Sequence, residues 1–355
     1  LWNGGIGTYV KASDETHDEA GDRTNDAVRV NGDEVRARVA VEGGNLGLTQ
    51  RGRIEYARAG GRVNTDFVDN SGGVDCSDRE VNLKILLGMA VQRGELDAVE
   101  RDRLIAGVSD GVVDRILRSN ALQAQLLSRE AGASPSRVEA YEDLMLDLEA
   151  AGLLDRTIEG LPGTDEMAER GRTGAGLTRP ELAVLMAHTK RWVRGIVVES
   201  PLADDPHLLE DLRGYYPAKI SGRFGHLIAE HPLRRELAST LVANDVVDGQ
   251  GIVFVSRLAA RTGADPADVV AAYLVAREVT GAGRRREELD GLIRSVEPEV
   301  WSRMAVGIDR MVSAVTRWYL AHPAERGIGE RSGIGKAAFT TLEEVALDCR
   351  AEAWR

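Results

Sequence analysis

The 355-residue sequence has only two cysteines, Cys76 and Cys349, which form neither a C-x-x-C pair nor a disulfide framework. That scarcity points to a reducing compartment, the cytoplasm. No apolar run approaches the ~20 residues that a helix needs to cross a bilayer, and no basic segment followed by an apolar one marks a secretory signal. Excess positive charge is also missing. A net charge of −12 argues against nucleic acid or an anionic membrane as partner, because neither attracts so acidic a body. The six histidines, His17, His188, His207, His226, His231 and His322, show no metal-ligand spacing, so no metal site is expected. Gly327-Ile328-Gly329 and Gly333-Ile334-Gly335-Lys336 mimic phosphate loops, but no strand precedes them and no Ser or Thr follows Lys336. No fixed-period repeat and no low-complexity tract interrupts the chain.

What is present is enough apolar material, 43% of residues, for two or three domains with real cores. Residues 1 to about 93 read as α/β. Asn31-Gly32 between short alternating runs predicts a hairpin over Val28 to Val35. Arg36 to Val41 continues as a strand ending in Gly43-Gly44. Thr49 to Arg58 has helical periodicity stopped by Gly60-Gly61, and Val63 to Val68 reads as the next strand. From Asp78 onward apolar residues recur at helical spacing, as in Val81, Ile85, Leu86 and Met89, then Leu104, Val108, Val112, Ile116 and Leu117. Helix starts are marked by Thr178-Arg179-Pro180-Glu181 and by Asp265-Pro266. Loops are expected near Gly160 to Thr164, Glu199 to Pro201, Gly281 to Gly283 and His322-Pro323. Lys84, four residues after Glu80, reads as half of a surface ion pair.

Two segments carry the chemistry. Glu42-Gly43-Gly44-Asn45 and Asp69-Asn70-Ser71-Gly72-Gly73-Val74-Asp75-Cys76-Ser77 each set an Asn in a Gly-rich turn after an apolar run. There the backbone can approach a ligand closely and a carboxamide can both donate and accept hydrogen bonds. Two such turns at the carboxyl ends of parallel strands occupy the place where open α/β sheets bind ligands. Each feature also has a plain reading. Asn45 and Asn70 could merely brace turns, Ser77 could cap a helix starting at Asp78, and Cys76 has nothing basic beside it to lower its pKa.

Both Asn turns, together with Leu1 to Lys11, Val41 to Gln50, Leu177 to Leu185 and His231 to Leu237, resemble the large NAD-specific glutamate dehydrogenases of bacteria over nearly the whole chain. The resemblance implies a partial Rossmann-like α/β cofactor domain, residues 1–93, whose closing β-α-β unit carries the two turns. A large all-α helical domain, residues 94–355, would follow. It implies NAD as cofactor, with Gly4, Gly44, Asn45, Asn70 and Gly72 in contact with it. Val74 and Ser77 would line the substrate pocket, the Ser77 hydroxyl favouring the distal carboxylate of L-glutamate where relatives acting on apolar amino acids carry an aliphatic residue. L-glutamate and 2-oxoglutarate are the implied substrates, and a homo-oligomer the implied assembly.

The family's catalytic Lys, catalytic Asp and first phosphate-binding turn have no counterpart in this sequence. Only five lysines occur, Lys11, Lys84, Lys190, Lys219 and Lys336, none in a suitable Gly-rich context. Starting on Leu1 and a strand-like piece, the chain reads as a C-terminal fragment with no catalytic residue, inactive by itself. Two other readings stay open at this point, a helical assembly module and a dehydrogenase of another amino acid.

Overall fold

In the computed structural model, which describes residues 1–322, packing divides the chain into two compact units. One comprises Leu1–Thr189 with Arg213–His231, the other Lys190–Leu212 with the described residues 232–322. The Gly327 to Lys336 stretch, Pro323 and Cys349 lie outside the described residues.

The first unit opens with four two-residue strands, β1 (Trp2–Asn3), β2 (Val10–Lys11), β3 (Val30–Asn31) and β4 (Val41–Glu42). β1 pairs with β4 and β2 with β3, both in parallel, and parallel bridges Val10↔Leu48 and Val39↔Arg62 extend the two ladders. Parallel pairing over such short lengths needs helices against it. Helix α1 (Gln50–Arg58) supplies one, started by Thr49, whose hydroxyl accepts from Gly52 N at 2.9 Å. Gly52 lets α1 come close to the sheet, since a Cβ there would lie 2.8 Å from the carbonyl carbon of Lys11. Tyr56, on the same helix, fills a small core with Ala40 and Val63.

The expected hairpin is not formed. Asn31-Gly32 opens a 3₁₀ turn instead, because its amides find side-chain acceptors that a hairpin would forgo. Asn31 N donates to the Glu34 carboxylate at 2.9 Å, and Gly32 N donates to Glu55 on α1 at 2.9 Å. Burial of the Glu55 carboxyl opposes its ionisation, yet bonds donated by Ser13, Asp33 and Gly32 hold it below the ordinary glutamate value. The strand expected over Val63 to Val68 is also absent. After Arg62 bridges Val39, residues Asp66–Asp69 coil into the short helix α2. A sequence holding Asn64, Thr65 and Asp66 is a poor strand. An extended Rossmann-like sheet is therefore not what these residues build, although every strand pairing is parallel.

From residue 71 to 322 the structure is helical. In the first unit follow α3 (Ser71–Gln92), α4 (Ala98–Ala106), α5 (Ser109–Ala133), α6 (Val138–Ala150), α7 (Arg156–Glu159), α8 (Thr164–Thr173) and the start of α9 (Arg179–Glu199). α3 begins seven residues before the expected Asp78, and its buried stripe is Leu83, Leu86, Leu87 and Ala90, whereas Val81 is exposed. It packs on α4 and α5. Lys84 and Glu80 do form the exposed ion pair, at 2.5 Å.

Next come α10 (Leu208–Tyr215), α11 (Ala218–Ile228), α12 (Arg234–Gln250), α13 (Phe254–Thr262), α14 (Pro266–Thr280), α15 (Ala282–Gly291) and α16 (Pro298–Ala321). Gly281 joins α14 to α15 directly in left-handed conformation, a junction rather than a loop. Asp265 caps α14 by accepting from Ala267 N at 2.8 Å. The second unit is built around α14, buried without interruption from Val269 to Ala276 and packed along α16. The Tyr273 hydroxyl and Arg277 both donate to Asp245, and Arg277 also pairs with Asp211 at 2.9 Å. No described helix is long and apolar enough to cross a membrane.

His231, in the first unit, is 3% exposed, with Nε2 donating to the Asn82 carbonyl of α3 at 3.4 Å and its ring 6.4 Å from that of Tyr216. Burial pulls the imidazole below its ordinary value, against the Asn82 bond. The unfolded chain therefore binds a proton that the folded chain refuses, and stability is lost as pH falls through about 6.5. Thermal unfolding between pH 7.5 and 5.5 should show a smaller loss for His231→Gln than for the parent. Equal losses would mean that His231 does not carry this dependence.

Candidate functional site

The carboxyl ends of β1 and β4 lie side by side, with Trp2 opposite Val41 and Asn3 opposite Glu42, and Gly44 N donates to Asn3 O at 2.9 Å. Beyond β4 the chain turns through Gly43, Gly44 and Asn45. Helix α2 lies against this turn and clamps it at both ends. Asp69 Oδ2 accepts from Glu42 N at 2.9 Å, and Asp66 Oδ2 accepts from Leu46 N at 2.8 Å. Between the two clamps Asn70 Nδ2 donates to Asn45 Oδ1 at 3.0 Å. Two asparagines 25 residues apart in sequence are thus brought together as a pair. Among the described residues no other bond is made by Asn45 Nδ2 or Asn70 Oδ1, so the pair presents one donor and one acceptor, the complement of another carboxamide.

Asn70 sits at the junction of α2 and α3, and Gly72 and Gly73 belong to the first turn of the 22-residue α3 rather than to a Gly-rich loop. Asn120 of α5 fastens this junction, donating to Val68 O at 2.7 Å and to Ser71 Oγ at 2.9 Å. The expected glycines have internal neighbours. A Cβ on Gly4 would meet the Trp2 indole at 2.6 Å, one on Gly44 would run into the Gly5 carbonyl, and one on Gly72 would stand 3.3 Å from Ile116. Val74, 69% exposed, and Ser77 lie about one turn apart on α3 and share a face of it. Ser77 is in the body of the helix, not at its start. Its hydroxyl donates back to Gly73 O at 3.3 Å, a local bond that an incoming acceptor can replace. Cys76 is exposed on the same helix.

Beneath the turn lies an ion cluster that no sequence motif announced. Glu42, fully buried, receives Arg53 at 2.6 and 2.9 Å and accepts from Leu48 N at 3.0 Å; Arg53 also reaches Asp66 at 3.2 Å. Burial pushes the Glu42 carboxyl up despite these partners. Asn64 Nδ2 donates to Asp69 at 2.6 Å, and Arg179 at the start of α9 donates to Asn64 Oδ1. The only hint was the polar run Asn64-Thr65-Asp66 inside an expected strand. Among the described residues no group of three or more His, Cys, Asp or Glu could hold a metal ion.

Residues 1–130 match the family described as bacterial NAD-glutamate dehydrogenase, catalytic domain, and residues 174–347 match glutamate dehydrogenase, C-terminal. The chain belongs to the bacterial NAD-glutamate dehydrogenase family. It is 45% identical over 320 residues to the NAD-specific glutamate dehydrogenase of Halomonas elongata and 44% identical over 320 residues to that of Pseudomonas aeruginosa. It is 40% identical over 322 residues to that of Mycobacterium tuberculosis. Each match covers 90% of this chain but only 20% of the relative, so the chain spans about a fifth of the length of these proteins.

Arg53→Met leaves Glu42 and Asp66 without their shared cation. It should cost about 3–5 kcal/mol in urea unfolding, the scale of a broken buried ion pair. Adding Glu42→Gln should recover part of that loss. A loss below about 1 kcal/mol would mean that the cluster is hydrated.

Proposed function

We propose that this chain is part of an NAD-dependent glutamate dehydrogenase, catalysing the reversible oxidative deamination of L-glutamate to 2-oxoglutarate and ammonium. The observation that carries the reading is the Asn45–Asn70 pair, held at the carboxyl ends of parallel strands with a free donor and a free acceptor. A nicotinamide carboxamide offers the matching acceptor and donor, so the residues present fit the cofactor. NAD, when bound, supplies the hydride acceptor. The chain's own part is orientation: Asn45 and Asn70 fix the carboxamide, with Gly4, Gly44 and Gly72 beside it, and the clamps from Asp66 and Asp69 keep that geometry before binding. Catalysis by positioning depends on such preorganisation. Ser77 donates to the distal carboxylate of glutamate, and Val74 packs against its methylenes.

In this reading residues 1–93 close the dinucleotide-binding domain, residues 94–355 form the helical domain, and the complete enzyme is a cytoplasmic homo-oligomer. The catalytic lysine lies outside this chain. By itself the chain therefore turns over no glutamate.

Two substitutions in the complete dehydrogenase polypeptide test the site. Asn70→Ala should lower kcat/KM by about one to three kcal/mol in transition-state terms, the scale of a lost buried hydrogen bond, with little change in unfolding temperature. Unchanged kinetics with NAD would reduce Asn70 to a turn residue. Ser77→Val should lower kcat/KM for glutamate roughly ten- to a hundredfold while leaving norvaline level or improved. Since Ser77 is exposed within α3, stability should not fall with activity. A parallel loss on both substrates would remove the carboxylate contact.

A further inference from the structure

The Asn45–Asn70 pair has a support that reaches far along the sequence. Arg179 Nε donates to Asn64 Oδ1, and Asn64 Nδ2 donates to Asp69 Oδ1 at 2.6 Å. The other Asp69 oxygen receives Glu42 N, at the foot of the Asn45 turn. Asn64 therefore stands between a cation and an anion, polarised by both, and passes the orientation of one to the other. The rest of the guanidinium is anchored on α5, with Nη1 on Ser128 Oγ and Nη2 on Ala124 O, each at 2.9 Å. All three acceptors of Arg179 are uncharged, and burial works against its charge with Asp69 opposing that effect across Asn64. A half-buried cation whose acceptors are all uncharged is costly as a mere surface brace. Its backbone is fixed too, because Thr178 N and Oγ1 both donate to the buried Glu181 at 2.6 Å.

We infer that Arg179 is a positioning residue for the two Asn turns, acting through Asn64 and Asp69 to set the distance between Asn45 and Asn70. The inference rests on the reading of those turns as the nicotinamide contact. It gives the first turn of α9, within the segment matched to the C-terminal family, a function in the geometry of the catalytic-domain segment. Lysine cannot replace it, since a single ammonium lacks the fork that holds α5 and Asn64 together.

The test has two readouts. In this chain, amide hydrogen exchange is followed at Glu42 and Leu46, with the amides of α6 as a folding control. R179Q should speed exchange at both reporter amides by about tenfold while α6 stays protected. R179K retains the charge and the stem, and serves as the folded comparison should R179Q fail to fold. It should show acceleration at the same two amides. In the complete dehydrogenase, R179K should raise KM for NAD several-fold, with a smaller change in kcat. Unaccelerated exchange in R179K overturns the positioning itself. Accelerated exchange with an unaltered KM for NAD upholds the positioning of the two turns by Arg179 and overturns the assignment of those turns to the cofactor.

Discussion

The buried Arg53 guanidinium is the contact on which the N-terminal part of this molecule depends. Four two-residue strands cannot specify their own register by ladder hydrogen bonds. Arg53 instead ties α1 to Glu42 at the end of β4 and to Asp66 at the start of α2. With those three elements fixed, the clamps on Glu42 N and Leu46 N follow, and the asparagine pair follows from the clamps. Taking three charges out of water is expensive. The expense is met by near-complete satisfaction, as the Glu42 carboxylate receives both Arg53 and the Leu48 amide.

The second unit solves its packing differently. Its central helix α14 is apolar on all sides, so hydrophobic burial does most of the stabilising. The polar groups there, Tyr273, Asp245, Arg277 and Asp211, form one satisfied set at the edge of that core.

What could be read from the sequence was what local chemistry decides. Thr49, Thr178 and Asp265 mark helix starts within three residues of themselves, and each does so in the structure. Asn45 and Asn70 stood out because amide side chains beside glycines are conspicuous, and they do meet. The failures share a cause. Asn31-Gly32 looked like a hairpin because Glu55, a distant acceptor for its amides, was invisible, and Val63 to Val68 looked like a strand because the partners of Asn64 and Asp66 were. Ser77 reads as a cap because Ser71, the first residue of α3, lies inside an apparent turn of the sequence. In the sequence Arg179 reads only as part of a helix start, and nothing nearby points to Asn64.

That last contact spans 115 residues. A ribosome adding roughly 5–20 residues per second needs on the order of ten seconds to travel from Asn64 to Arg179. During that interval the nascent chain has its strands and α1 but not the guanidinium that braces Asp69. Short parallel strands with unmet polar groups are slow to settle and open to mispairing. The start of α9 is thus the last part of the Asp69 brace to be made: before it is synthesised Asp69 can already hold Glu42 N and Asn64, but Asn64 has no cation on its other side.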